Sequence, residues 1–165
     1  MAALSDKIDT AVLACGITSD HWLFKDNAWI PTYSGMIIFP ELGLGAPDIA
    51  HLTREQFREN YEKVKPEHNQ RAREIFNKLF PYFEDLDALN VAPLIPPVPL
   101  MIITGARDEQ FAIPGVVGVD EKVQSAFQSY GLRSCSELYI QPRAGHAVDG
   151  KGGLVLSAFL ERWLK

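Results

Sequence analysis

Apolar positions along the chain fall into two patterns: short unbroken runs, and residues recurring every three or four positions. Three short runs predict strands, at Thr10–Ala14, Pro99–Thr104 and Glu137–Gln141. The first two are apolar nearly throughout, which predicts strands covered on both faces, as in a parallel sheet. Beyond the second run the spacing becomes helical. Val119, Val123, Ala126, Phe127 and Tyr130 share one helix face, and Gly131 stands where a glycine would end that helix. From Gly152 to Leu164, the residues Leu156, Phe159, Leu160 and Trp163 form a second stripe. Strand, helix, strand, helix predicts a layered α/β unit spanning 1–165, with three parallel strands and flanking helices.

A long helical excursion separates the first strand from the second. Thr53 and Gln56 have capping-box spacing, followed by Phe57, Tyr61 and Val64 on one face. Pro66 suits the first turn of another helix, where Ala72, Ile75, Phe76, Leu79, Phe80 and Phe83 recur at helical spacing. Pro81 marks its fraying end. The stretch Ala92–Pro99 is too proline-rich for an α-helix and leads rigidly into the second strand. Residues 42–90 therefore read as an excursion from the sheet, either a cap-like insertion over a cleft or a helical layer packed on the sheet.

Composition narrows the function classes. The 165 residues are 47% hydrophobic and 22% charged, which suits one globular domain. A net charge of -5 without a basic stripe argues against a nucleic-acid partner. The two cysteines, Cys15 and Cys135, form no CxxC and no disulfide framework, so a reducing compartment is expected, cytoplasm or organelle interior. The apolar runs are too short for a membrane span, and the first residues lack the charged-then-apolar order of a secretory signal. No cofactor motif or metal-ligand spacing appears.

Two loops carry candidate chemistry. The second strand runs into Gly105-Ala106-Arg107-Asp108, and the third into Pro142-Arg143-Ala144-Gly145-His146. Ligands of parallel α/β sheets bind beyond the carboxyl ends of the strands, so Asp108 and His146 can meet there. A carboxylate on one imidazole nitrogen fixes the tautomer and leaves the other nitrogen free to take a proton from a nucleophile. The plain alternative is that Asp108 and Gly145-His146 are ordinary turn residues.

These segments resemble the C-terminal portion of α/β-hydrolase-fold serine hydrolases, of the dienelactone-hydrolase or acetyl-esterase-like type found in a plant and algal branch. The resemblance rests on VPLMIITGARDEQFAIPG, ELYIQPRAGHAV and the closing AFLERWL, with a further likeness across residues 2–29. It covers nearly the whole chain, more loosely over residues 40–90. It implies that the three strands are the sixth to eighth of that fold. It also implies that Asp108 is the acid and His146 the base of a catalytic triad acting on acyl esters.

The family's G-x-S-x-G elbow does not occur in these 165 residues. Ser34 precedes Gly35 but lacks the earlier glycine. The chain is therefore expected to be inactive alone, with the nucleophile and oxyanion hole lying outside it. It would be a fragment of a hydrolase, a partner of a separate N-terminal half, or a non-catalytic scaffold or interaction subunit. The first strand would keep an unpaired edge, to be covered by the missing half, a homo-oligomer or a larger assembly. A third reading is a small-molecule binding module, with Trp22, Phe24 and Trp29 lining the old cleft; the same aromatics would otherwise pack the cap. Cys15 ends the first strand and would face the cleft as a substitute nucleophile or be a core cysteine; the second reading is preferred. Asp20-His21 would be an acid–base or metal-binding pair or a surface or cap-facing one, the second reading preferred, and His51 and His68, flanking helical segments, read as solvated.

Overall fold

The computed structural model describes residues 7–19, 22, 74, 78, 81–82, 84–108, 111 and 113–164. Among the described residues, three parallel strands form one sheet in the order β1 (Ala11–Ala14), β2 (Leu100–Gly105) and β3 (Ser136–Gln141). In register, Ala11 lies beside Leu100 and Leu100 beside Ser136, so the strands point the same way and end on one side. The α-helices bounded within the described residues are α1 (Ala88–Val91), α2 (Ile113–Ser129) and α3 (Gly150–Trp163). Short 3-10 turns lie at Glu84–Leu86, Ala92–Leu94 and Arg133–Cys135. The chain thus has the predicted architecture, three parallel strands with flanking helices.

The two apolar strand readings part company in burial. Every residue of β2 is buried, as its unbroken apolar run requires. Residues Ala11 to Leu13 of β1 are half-buried and Ala14 is exposed. The reason is position: among the described residues β1 pairs with β2 alone and forms an edge. On one face of the sheet, Leu100 and Ile102 join Val116, Val119, Val123 and Phe127 of α2 in the main core. On the other face, α3 lies close over β2, and a side chain at Gly152 would come 3.2 Å from Ile103. Removing the fully buried Phe127 ring would cost about 3–5 kcal/mol.

The end of α2 corrects one expectation. The spacing puts Tyr130 on the apolar stripe, but it lies past the helix and is largely exposed. A Schellman motif causes this. The Leu132 N–H donates to the Phe127 carbonyl at 2.9 Å, and the Gly131 N–H to that of Gln128 at 3.0 Å. The helix ends at Ser129, Tyr130 follows as its cap with its N–H on the Phe127 carbonyl at 3.2 Å, and Gly131 at φ 70° turns the chain away after it.

Elsewhere the helical readings meet the structure unevenly. In α3, Phe159 is buried and Leu156, Leu160 and Trp163 are half-buried, as the stripe predicts. The proline-rich stretch opens with a single 3-10 turn rather than an α-helix. Most of the 42–90 excursion, with Thr53 and Gln56, lies outside the described residues. Within it, Glu74, Lys78, Pro81 and Tyr82 are helical and exposed. Its last part is fastened to the segment after β1: the buried Ser19 hydroxyl donates to Asp87 Oδ2 at 3.1 Å, and Asp87 Oδ1 caps α1 at the Leu89 N–H.

Candidate functional site

The carboxyl ends of β2 and β3 bring the two predicted side chains together. After Gly105 the chain turns, with the Asp108 N–H donating to the Gly105 carbonyl at 3.1 Å. The loop after β3 runs alongside. The Ala106 N–H donates to the Gln141 carbonyl at 2.8 Å, and the Arg107 N–H to that of Ala144 at 2.9 Å. His146 Nδ1 and Asp108 Oδ2 then lie 3.1 Å apart, across a sequence separation of 38 residues. The Asp108 side chain is 0% exposed and that of His146 37%. The carboxylate is thus held inside while the imidazole reaches solvent.

Each partner is held by further contacts. The other carboxylate oxygen, Oδ1, accepts the Phe111 N–H at 3.1 Å. The Phe111 ring also stacks on the imidazole, with centroids 5.4 Å apart and planes inclined by 29°. An ionised carboxylate can only accept, so the hydrogen-bonded Nδ1 must carry the proton. In the neutral form of the ring, Nε2 is then the nitrogen left to accept a proton.

Close backbone approach makes this corner possible. A side chain at Gly105 would lie 2.1 Å from the Gly145 carbonyl oxygen and 2.3 Å from that of Ala144. Glycine is therefore required where the two loops cross. Gln141, fully buried at the end of β3, grips the loop from beneath. Its Nε2 donates to the Ala147 carbonyl at 2.9 Å, and its Oε1 accepts the Asp149 N–H at 2.8 Å. Neither Phe111 nor Gln141 was singled out for a site role in the sequence. Gln141 did carry one signal, a polar residue ending a largely apolar run.

Cys15 lies in the same corner. It takes φ 47°, and its N–H donates to the Ile103 carbonyl at 2.8 Å. Burial and then the nearby Asp108 charge push its thiol up, against hydrogen bonds from the Gly105 and Ala147 backbone. Both effects favour the neutral thiol, which fits a core cysteine better than a nucleophile. Cys15 and Cys135 are both buried and free.

The remaining candidates do not gather here. Trp22 packs against the start of α2, its Cβ lying 2.7 Å from where a side chain on Gly115 would begin. Asp20, His21, Phe24, Trp29, His51 and His68 lie outside the described residues. No cluster of three metal-ligating side chains occurs among the described residues, and none of their helices is long and apolar enough to cross a membrane. No family model matches the chain, and no curated protein matches it significantly. The fold and corner define an α/β unit with a hydrogen-bonded acid–imidazole pair at the carboxyl edge of a parallel sheet.

Proposed function

We propose that the chain is the C-terminal portion of an α/β-hydrolase-fold serine hydrolase of the esterase type, of dienelactone-hydrolase or acetyl-esterase-like character. The observation that carries this reading is the 3.1 Å contact between a buried Asp108 carboxylate and a solvent-reaching His146 imidazole. His146 is the general base and Asp108 its orienting acid. The serine and the oxyanion hole come from sequence outside these residues.

The chemistry follows from the arrangement. Nε2 takes the serine proton as the serine oxygen forms a bond to the acyl carbon of an ester. The imidazolium, stabilised by Asp108, then gives that proton to the departing alcohol as the ester C–O bond breaks. Water next releases the acid from the acyl-enzyme by the same proton relay, and the serine recovers its proton. Without the serine no acyl-enzyme forms, so the chain alone is inactive.

The test is complementation with a polypeptide carrying the upstream half, assayed on a small activated ester such as p-nitrophenyl acetate. Activity should be absent from the chain alone, appear on complementation, and fall at least roughly a thousandfold in His146→Ala. No activity on complementation would sink the proposal.

One observation favours a second reading, a non-catalytic scaffold or interaction subunit. Among the described residues the outer side of β1 has no strand partner, and such an edge is a template for association. The missing half, a second copy of the chain or a larger assembly would cover it. On this reading His146→Ala changes stability modestly and leaves assembly intact.

A further inference from the structure

His146 is an exposed side chain that acid–base chemistry needs in one orientation. It is 37% exposed, and the torsion that turns a histidine ring is intrinsically broad. The contact between Nδ1 and Asp108 Oδ2 at 3.1 Å fixes one atom of the ring. It leaves the ring plane free to swing about that atom. A contact with the face of the ring is needed to set the plane.

Phe111, between β2 and α2, makes that contact and more. Its ring stacks on the imidazole with centroids 5.4 Å apart and planes inclined by 29°, within the range where aromatic pairs attract. Its side chain also packs against the main core, so the stacking surface is backed by the layer between the sheet and α2. Its backbone N–H donates to Asp108 Oδ1 at 3.1 Å, which leaves Oδ2 for the imidazole. The stack alone accepts the imidazole in either flip, because half a turn keeps the same plane. The hydrogen bond chooses the flip that puts Nδ1, rather than a carbon, against the carboxylate. Plane and flip are set by separate contacts, and Phe111 takes part in both.

We infer that Phe111 is a positioning residue for His146, its ring setting the imidazole plane while its backbone N–H orients the Asp108 carboxylate. The consequence for catalysis rests on the hydrolase reading above: the fixed plane aims Nε2 at the serine hydroxyl. The role belongs to the flat ring. A leucine fills similar space and keeps the N–H, but it offers no face for stacking.

The experiment is long-range nitrogen–proton NMR of the His146 imidazole in the intact chain, at alkaline pH where the ring is neutral, assigned by difference from His146→Gln. The Nδ1–H tautomer should dominate in the unsubstituted chain. In Phe111→Leu the ratio of Nδ1–H to Nε2–H should fall at least about threefold, and Phe111→Tyr should restore it. A leucine variant with the original ratio would overturn the role, as would a tyrosine variant that fails to restore it. Should Phe111→Leu not fold, Phe111→Met replaces it, with the same fall expected and an unchanged ratio overturning the role. In the complemented enzyme, Phe111→Leu should lower kcat roughly tenfold with KM unchanged. An unchanged kcat would overturn the catalytic consequence. Absence of esterase activity from every complemented form would sink the hydrolase reading instead, and the tautomer ratio would still decide the role of Phe111.

Discussion

Gln141 holds the Ala147 carbonyl at 2.9 Å through its side-chain nitrogen, and this bond ties the residue after His146 to the end of β3. The same carboxamide accepts the Asp149 N–H at 2.8 Å. One buried side chain thus fixes both the loop that presents the imidazole and the residue that caps α3. It sits fully buried at the end of the sheet and ties an otherwise exposed loop to it.

Replacing it with leucine removes both bonds and leaves a carbonyl and an N–H without their partner. Gln141→Leu should cost about 2–4 kcal/mol in urea denaturation. Below the unfolding transition it should also broaden or shift the His146 imidazole signals, while those of Val119 and Val123 in the α2 core stay in place. Native-like stability with unmoved His146 signals would refute the clamp.

Cys15 reports on the charge of Asp108. Because burial and then that carboxylate raise the thiol, alkylation of the folded chain at neutral pH should be slow, by roughly tenfold relative to the chain in urea. A Cys135→Ser background isolates the signal. Asp108→Asn removes the negative charge, lowers the thiol toward its ordinary value and should speed labelling of the folded state. Equal rates in the two folded proteins would contradict the coupling.

Asp120 on α2 is raised by burial, with a smaller push from Glu121 and an opposing hydrogen bond from Gln124. Its Oδ1 has no hydrogen-bond partner. For an acid whose folded pKa lies above the unfolded one, the fold loses stability as pH rises from the ordinary value of 3.8 through the raised value. Asp120→Asn should therefore raise Tm by roughly 2 °C at pH 7. The gain should vanish below the ordinary value, where both states carry the neutral acid. A gain that is the same at both pH values would locate its origin elsewhere.

Much of the fold was legible in order and type. The strands at Ala11–Ala14, Leu100–Gly105 and Ser136–Gln141 each lie within a residue or so of the predicted runs, because buried strands need continuous apolar sequence. The β2–α2–β3–α3 order follows from two periodicities that a chain cannot disguise. Tyr130 shows the limit: its spacing fits the helix stripe, but the helix ends one residue before it, at Ser129. Periodicity records which residues could share a face, not where the hydrogen bonds stop.

For the site, the sequence by itself placed Asp108 and His146 just beyond the carboxyl ends of two predicted parallel strands, because each follows a largely apolar run; that those two strands are neighbours was decided by the sheet pairing. Only the tertiary structure decided that the carboxylate is buried while the imidazole reaches solvent. It also decided that Phe111 bonds to one and stacks on the other, that Gln141 clamps the loop, and that Cys15 shares the corner as a neutral thiol. These are contacts between side chains and backbone far apart in the chain. They depend on distances of a few ångströms set by how two loops cross at Gly105, and no local sequence signal encodes that crossing.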